Sequence, residues 1–232
     1  MPSRVDDVAV EFDAGARLSA RHYVGADRSG PLPTIVLAHG AGAGQRHPFM
    51  VAFGTGLAAR GVGVVTFDFP YMEAKRRVPD RAPVLERAYQ AAIRAVRNLP
   101  GIGTHPIFIG GKSMGGRMAS HVAARHAAAA GPLSGLVFLG YPLHPPGRPD
   151  EPRDAHLPDI AAPMLFVQGE RDAFGTPEEL RPVLARLTAP AQLMVVEGGD
   201  HSFAVPRASE RSAADARESV MDAIVAWVRA TV

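Results

Sequence analysis

Six short runs of almost wholly apolar residues, 34–38, 62–67, 106–110, 135–140, 164–167 and 193–196, punctuate this chain of 232 residues. A strand with one face in water alternates apolar and polar side chains. These runs do not alternate, so both faces are expected to be buried, as in a parallel sheet. Between them lie helical stretches at 48–60, 82–98, 114–130, 177–187 and 213–230. Strand and helix taking turns predicts a doubly wound α/β sheet, mostly parallel, with helices on both faces. Two earlier segments, 8–12 and 18–24, do alternate and predict an antiparallel pair ahead of Pro31-Leu32-Pro33. No repeat, linker or second domain interrupts the pattern, so one domain over residues 1–232 is expected.

Apolar residues make up 47% and charged residues 21%, as in an ordinary globular chain. The net charge of +2 is too small to imply a nucleic-acid partner. Only Lys75 and Lys112 are lysines, so arginine sets the isoelectric point near 9.3. Cysteine is absent, which excludes disulfides, thiolate zinc sites and a cysteine nucleophile. Residues 1–15 lack the apolar core of a signal peptide, and no run reaches the roughly 18 apolar residues needed to span a bilayer. The expectation is a soluble cytoplasmic protein with no membrane partner.

Residues 107–116 read IFIGGKSMGG, an apolar strand running into Gly111-Lys112-Ser113-Met114-Gly115. In Gly-x-Ser-x-Gly the serine sits on a tight strand-to-helix turn, where side chains two residues away on either side would clash. Such a turn lifts the hydroxyl above the sheet, and the N–H groups at the following helix start face a developing oxyanion. The rival reading of Gly111-Lys112-Ser113 is the end of a phosphate-binding loop. It needs glycine at 106, which is Pro106, and strand residues fill the place of its flexible loop.

Reactive groups of such sheets gather at the carboxyl ends of the strands. Gly169-Glu170-Arg171-Asp172 follows one strand and Gly199-Asp200-His201-Ser202 the next, placing Ser113, Asp172 and His201 in that order, 59 and 29 residues apart. Serine needs a histidine base, and the base needs a carboxylate to fix its tautomer. Each partner also has a plainer reading, His201 as a loop residue and Asp172 as a turn residue, with Thr176 the better cap for the next helix. Glu170 is the rival acid, and Asp200 is too near His201 in sequence to orient it. After the first parallel strand, Ala38-His39-Gly40-Ala41-Gly42-Ala43-Gly44 lets backbone approach a ligand, so an N–H here and that of Met114 form a candidate oxyanion hole. A dinucleotide loop would need a third glycine at 45, which is Gln45.

Together HGAGAG, IFIGGKSMGG, GERD and GGDHSF resemble the α/β-hydrolase superfamily across nearly the whole chain. More narrowly, HGAGAGQRHPFM and FDFPYMEAKRR resemble a small capless dienelactone-hydrolase-like group that includes bacterial relatives of the NSL-complex-subunit and testis-expressed hydrolase-like proteins. The resemblance implies an α/β-hydrolase fold without a cap, Ser113 as nucleophile, Asp172 as acid, His201 as base, and Ala41 with Met114 as oxyanion donors. Dienelactone hydrolases proper use cysteine at the position of Ser113, so their substrate does not carry over.

Pro142, Pro145, Pro146, Pro149, Pro152 and Pro158, in the irregular run after Tyr141, exclude a helical lid, so the cleft should be open and suited to short acyl chains. Lys75, Arg76 and Arg77 lie on a loop that should border the cleft, where a solvated turn competes with an anion-binding role. His144 reads as a loop residue, and His121 and His126 as surface or packing residues of a helix. The expected function is hydrolysis of a carboxylic ester or related small acyl compound, with no metal or organic cofactor. The competing class is a non-catalytic scaffold that keeps the fold.

Overall fold

The computed structural model describes residues 4–13, 15–26, 32–102, 104–206 and 212–232. Pro31, expected to mark the end of the antiparallel segment, lies outside them. The expected pair is β1 (Val5–Phe12) and β2 (Ala16–Tyr23), antiparallel from Val5 opposite Tyr23 to Phe12 opposite Ala16. Both strands begin before their apolar alternation, at Val5 and Ala16, where the pairing carries Asp6, Asp7 and Arg17 along with them.

Six further strands follow: β3 (Thr34–Ala38), β4 (Gly63–Phe67), β5 (Ile107–Lys112), β6 (Gly135–Leu139), β7 (Met164–Gly169) and β8 (Ala191–Val196). The sheet order is β1-β2-β4-β3-β5-β6-β7-β8, antiparallel on both sides of β2 and parallel from β4 to β8. Every residue of β3 to β7 is buried, as their unbroken apolar runs predict. β8 departs from that expectation, with one residue in six buried, because it forms the outer edge of the sheet. β5 runs two residues past the expected end, since Gly111 still pairs with Ala38 and Phe138, and Lys112 with Leu139.

The helices are α1 (Pro48–Ala59), α2 (Pro70–Glu73), α3 (Ala82–Arg97), α4 (Met114–Arg125), α5 (Ala127–Ala130), α6 (Pro177–Leu184) and α7 (Ala213–Thr231). Alternate strand residues feed two cores. Val36, Ala38, Ile109 and Phe138 pack with α3 and α4, whereas Ile35, Leu37, Phe108 and Val137 pack with α1 and α7. The helix expected over 114–130 is broken at His126, whose φ of −129° and ψ of 28° leave the helical region. α6 ends at Leu184 rather than 187 because its last bonds tighten, Arg186 N–H to Val183 O and Leu187 N–H to Leu184 O. Thr176 caps α6 in a capping box with Glu179, as expected.

The chain steps from β3 to β4 in one direction, then returns to the other side of β3 with β5 and continues outward. That reversal opens a crevice beyond the carboxyl ends of β3 and β5. The proline-rich connection 140–163 holds one 3-10 turn, Leu157–Asp159, and among the described residues no cap domain covers the crevice. Among the described residues no helix is long and apolar enough to cross a membrane.

Candidate active site

Ser113 is the single residue between the end of β5 and the start of α4. Its φ of 51° and ψ of −117° lie where L-residues are rarely found, at a cost on the order of 1–3 kcal/mol. Two bonds hold it there: its N–H donates to Leu139 O at 3.1 Å, and its carbonyl accepts from Arg117 N–H at 3.0 Å. Glycines flank it because β3 is so close. A Cβ on Gly111 would lie 2.5 Å from Ala38 O, and one on Gly115 2.3 Å from the same atom. The N–H of Met114 opens α4, where first-turn donors have no helical acceptor.

Asp172 follows β7 and is fully buried, whereas Glu170 is exposed and accepts only from Gly198 N–H, at 2.6 Å. Of the two acids, Asp172 alone reaches the histidine. His201 Nδ1 lies 2.7 Å from its Oδ2 and 2.9 Å from its Oδ1. A carboxylate can only accept, so the hydrogen of this contact sits on Nδ1, and the neutral tautomer it selects has its lone pair on Nε2. Asp172 is itself fixed by Phe174 N–H to Oδ1 and Gln168 Nε2 to Oδ2, both at 2.8 Å. Gln168 cannot turn over, because its Oε1 accepts from Tyr141 N–H at 2.8 Å and its Nε2 also donates to Gly175 O at 2.6 Å. The Phe174 ring stacks on the imidazole, centroids 4.2 Å apart. Asp200 shapes the turn instead, accepting from Ser202 and Ala204 N–H at 2.7 and 2.9 Å.

The glycine-rich loop after β3 is anchored from below. His39 is fully buried; its Nδ1 donates to Gly40 O at 2.8 Å and its Nε2 accepts from Phe69 N–H at 3.1 Å. Burial lowers its pKa and keeps the ring neutral, the form both bonds require. Gln45 occupies the place where a dinucleotide loop needs glycine. Its N–H donates to Asp68 Oδ1 at 2.7 Å and its side chain to Ser19 O at 2.8 Å. Asp68 therefore serves as a tether for the loop.

Two cavities meet at Ser113. One of about 290 Å³ is lined by Ala41, Phe49, Lys112, Ser113, Phe174 and His201. The other, of about 250 Å³, is lined by Ala41, Ser113, Met114, Arg117, Arg153 and Phe174 among others. A larger hollow of about 650 Å³ lies at the opposite end, near Thr34 and Gly63 where β3 and β4 begin, away from these groups. Among the described residues no cluster of three or more metal-ligating side chains could hold an ion.

The sequence profile of the alpha/beta hydrolase domain family matches residues 31–229. The chain belongs to the α/β-hydrolase family. It is similar in fold to a dienelactone hydrolase from Anabaena variabilis, at 18% identity and TM-score 0.75 over 98% of this chain and 97% of that one. A serine hydrolase without a lid from Xanthomonas campestris matches at 20% identity and TM-score 0.70, covering 98% and 96%. A serine hydrolase homologue from Coxiella burnetii matches at 16% identity and TM-score 0.73, covering 95% and 96%.

In this α/β-hydrolase chain, other residues singled out from the sequence lie elsewhere. Arg76 pairs with Asp80 at 2.6 Å, and Lys75, Arg76 and Arg77 are exposed and line neither cavity at Ser113. His144 is buried and faces Glu179, Nε2 to Oε1 at 3.3 Å. His121 and His126 both bind the buried Glu86, at 2.7 and 3.1 Å. The supporting residues Gln168, Phe174, Gln45 and Lys112 carry no motif of their own, and their roles depend on contacts between strands distant in sequence.

Proposed function

We propose that this chain is a serine hydrolase acting on a carboxylic ester or related acyl compound through an acyl-enzyme. The observation that carries the reading is that His201, bound to the buried Asp172, lines the same cavity as Ser113 on its strained turn. In this reading His201 Nε2 takes the Ser113 proton as Oγ attacks the carbonyl carbon, and Asp172 holds the tautomer and stabilises the imidazolium. The N–H groups of Ala41 and Met114 receive the oxyanion. The imidazolium then protonates the departing alcohol, and water, deprotonated by the same ring, releases the acid and restores Ser113.

Each of the two cavities, at about 250 and 290 Å³, falls just below the usual range of ligand pockets, about 300–1,000 Å³. With no lid above them among the described residues, they suit short acyl groups. A fluorophosphonate probe tests the reading directly: it should label folded protein at Ser113, and Ser113→Ala should abolish both labelling and hydrolysis of a short chromogenic ester. Folded protein that neither labels nor turns over such esters would favour a non-catalytic scaffold.

A further inference from the structure

The chain has two lysines; Lys75 is exposed, whereas Lys112, next to Ser113, is 8% exposed. A buried ammonium is costly unless its hydrogens are taken up. Among the described residues Lys112 has no carboxylate within ion-pair distance. Its Nζ instead donates to the carbonyl oxygen of His201. The rings of Phe49 and Phe203 supply π faces at 5.6 and 6.0 Å. The space for this contact is kept open by Gly140, whose φ is 69°. A Cβ there would lie 3.0 Å from Lys112 Nζ, 3.0 Å from His201 O and 3.2 Å from His201 Nδ1. The side chain immediately before the nucleophile thus reaches the main chain of the histidine 89 residues later.

The other restraints on that histidine include contacts within its own loop and with the loop after β7. The Asp200 carboxylate fixes the shape of the turn from Asp200 to Ala204, and Asp172 fixes one atom of the ring. Arg171 N–H donates to Gly199 O at 2.8 Å and the Phe174 ring stacks on the imidazole, and none of these contacts comes from β5, the strand that leads into Ser113. We propose that Lys112 is a positioning residue, whose ammonium clamps the His201 carbonyl and so holds the imidazole over Ser113. This inference rests on the serine-hydrolase reading.

The clamp is built to depend on pH. Burial lowers the Lys112 pKa to about 8, opposed by the charges of Asp172 and Asp200. Those two carboxylates and the His201 ring are the titratable groups facing it from the loops after β7 and β8. His47 stands on the same cavity ahead of α1, and the α1 and β6 neighbours Phe49 and Gly140 are uncharged. Once the ammonium loses its proton, a charge-assisted bond becomes a neutral one of about half the strength.

The test is the pH dependence of kcat on a short neutral ester between pH 6 and 9.5. Wild-type kcat should fall roughly three- to tenfold above pH 8, with KM nearly unchanged, because a positioning effect acts on the transition state. Lys112→Met should lower kcat at pH 7.5 about tenfold or more and remove the alkaline fall. Lys112→Gln, which keeps a donor without charge, should be intermediate and equally flat. Circular dichroism and thermal melting confirm folding; if Lys112→Met does not fold, Lys112→Gln and the wild-type profile decide. A wild-type profile level to pH 9.5, or a folded Lys112 variant with the wild-type rate or the wild-type alkaline fall, overturns the proposal. Wild type that labels at Ser113 together with a Lys112 variant that labels equally fast sinks the clamp alone. Wild type that never labels sinks the hydrolase reading and the clamp with it.

Discussion

Replacing Asp172 by asparagine changes one atom and should remove most of the activity. The carboxylate accepts from His201 Nδ1, Gln168 Nε2 and Phe174 N–H, all within 2.9 Å. Asparagine can keep its oxygen only on one side. Toward Phe174 the oxygen satisfies the backbone donor, and the new amide then points its hydrogens at His201 Nδ1 and Gln168 Nε2. Gln168 cannot relieve the clash by flipping, because Tyr141 N–H and Gly175 O hold its own amide. The amide nitrogen takes the nearer place, 2.7 Å from Nδ1 against 2.9 Å for the oxygen, so the imidazole is driven to present Nδ1 as an acceptor and carry its hydrogen on Nε2, which leaves Ser113 without a base. The loss in kcat should be on the order of 10⁴-fold, the scale found when a triad aspartate is amidated, or roughly 5.4 kcal/mol at 1.36 per decade. The leftover donor conflict should cost about 1–3 kcal/mol of stability. Steady-state hydrolysis of a short chromogenic ester reads the first quantity and urea unfolding the second. Glu170→Gln is the control, expected to keep kcat within about twofold because Glu170 accepts only from Gly198 on the surface. Asp172→Asn retaining a tenth of wild-type kcat, or Glu170→Gln losing most of it, would refute the assignment.

Other expectations concern stability and the basic loop. Gly110→Ala would place a Cβ 2.0 Å from Val137 O and should cost at least about 3 kcal/mol in urea unfolding; Gly147→Ala, at φ 71° but in open space, should cost about 1. Burial, helped by His121 and nearby arginines, lowers the pKa of His156 to about 3, and burial lowers that of His121 below its usual value. The His156 ring stays neutral in the fold while the unfolded chain takes up protons below about pH 6.5, so stability should fall as pH drops from 7 to 5, and the lowered pKa of His121 acts in the same direction. A dry imidazole would lose about 2 kcal/mol over that range, and partial solvent screening brings the expected loss nearer 1 for His156. Equal pH slopes in wild type and His156→Asn would disprove the source. Arg76→Ala with Arg77→Ala should change KM for a carboxylate-bearing ester and for its neutral counterpart equally and by less than about twofold, since Arg76 is held by Asp80. A selective rise for the anionic ester would restore a binding role to that loop.

The strand runs were legible because burial on both faces leaves no room for polar residues, and each parallel strand needs a helix to bring the chain back. Gly111 and Gly115 were legible for a similar reason. Contact with Ala38 O tolerates no side chain, so the constraint is written as a residue type at a fixed spacing. Asp172 and Glu170 are chemically alike and two residues apart. Only the path of the chain after β7 buries one against His201 and leaves the other in water. Lys112 shows the same limit, because its partner is a backbone carbonyl, and every residue has one. Gln168, Gln45 and His39 also act through main-chain atoms, so nothing in the partner's residue type announces them. Local sterics leave their mark along the sequence, whereas contacts between distant loops become definite only when the sheet brings its carboxyl ends together.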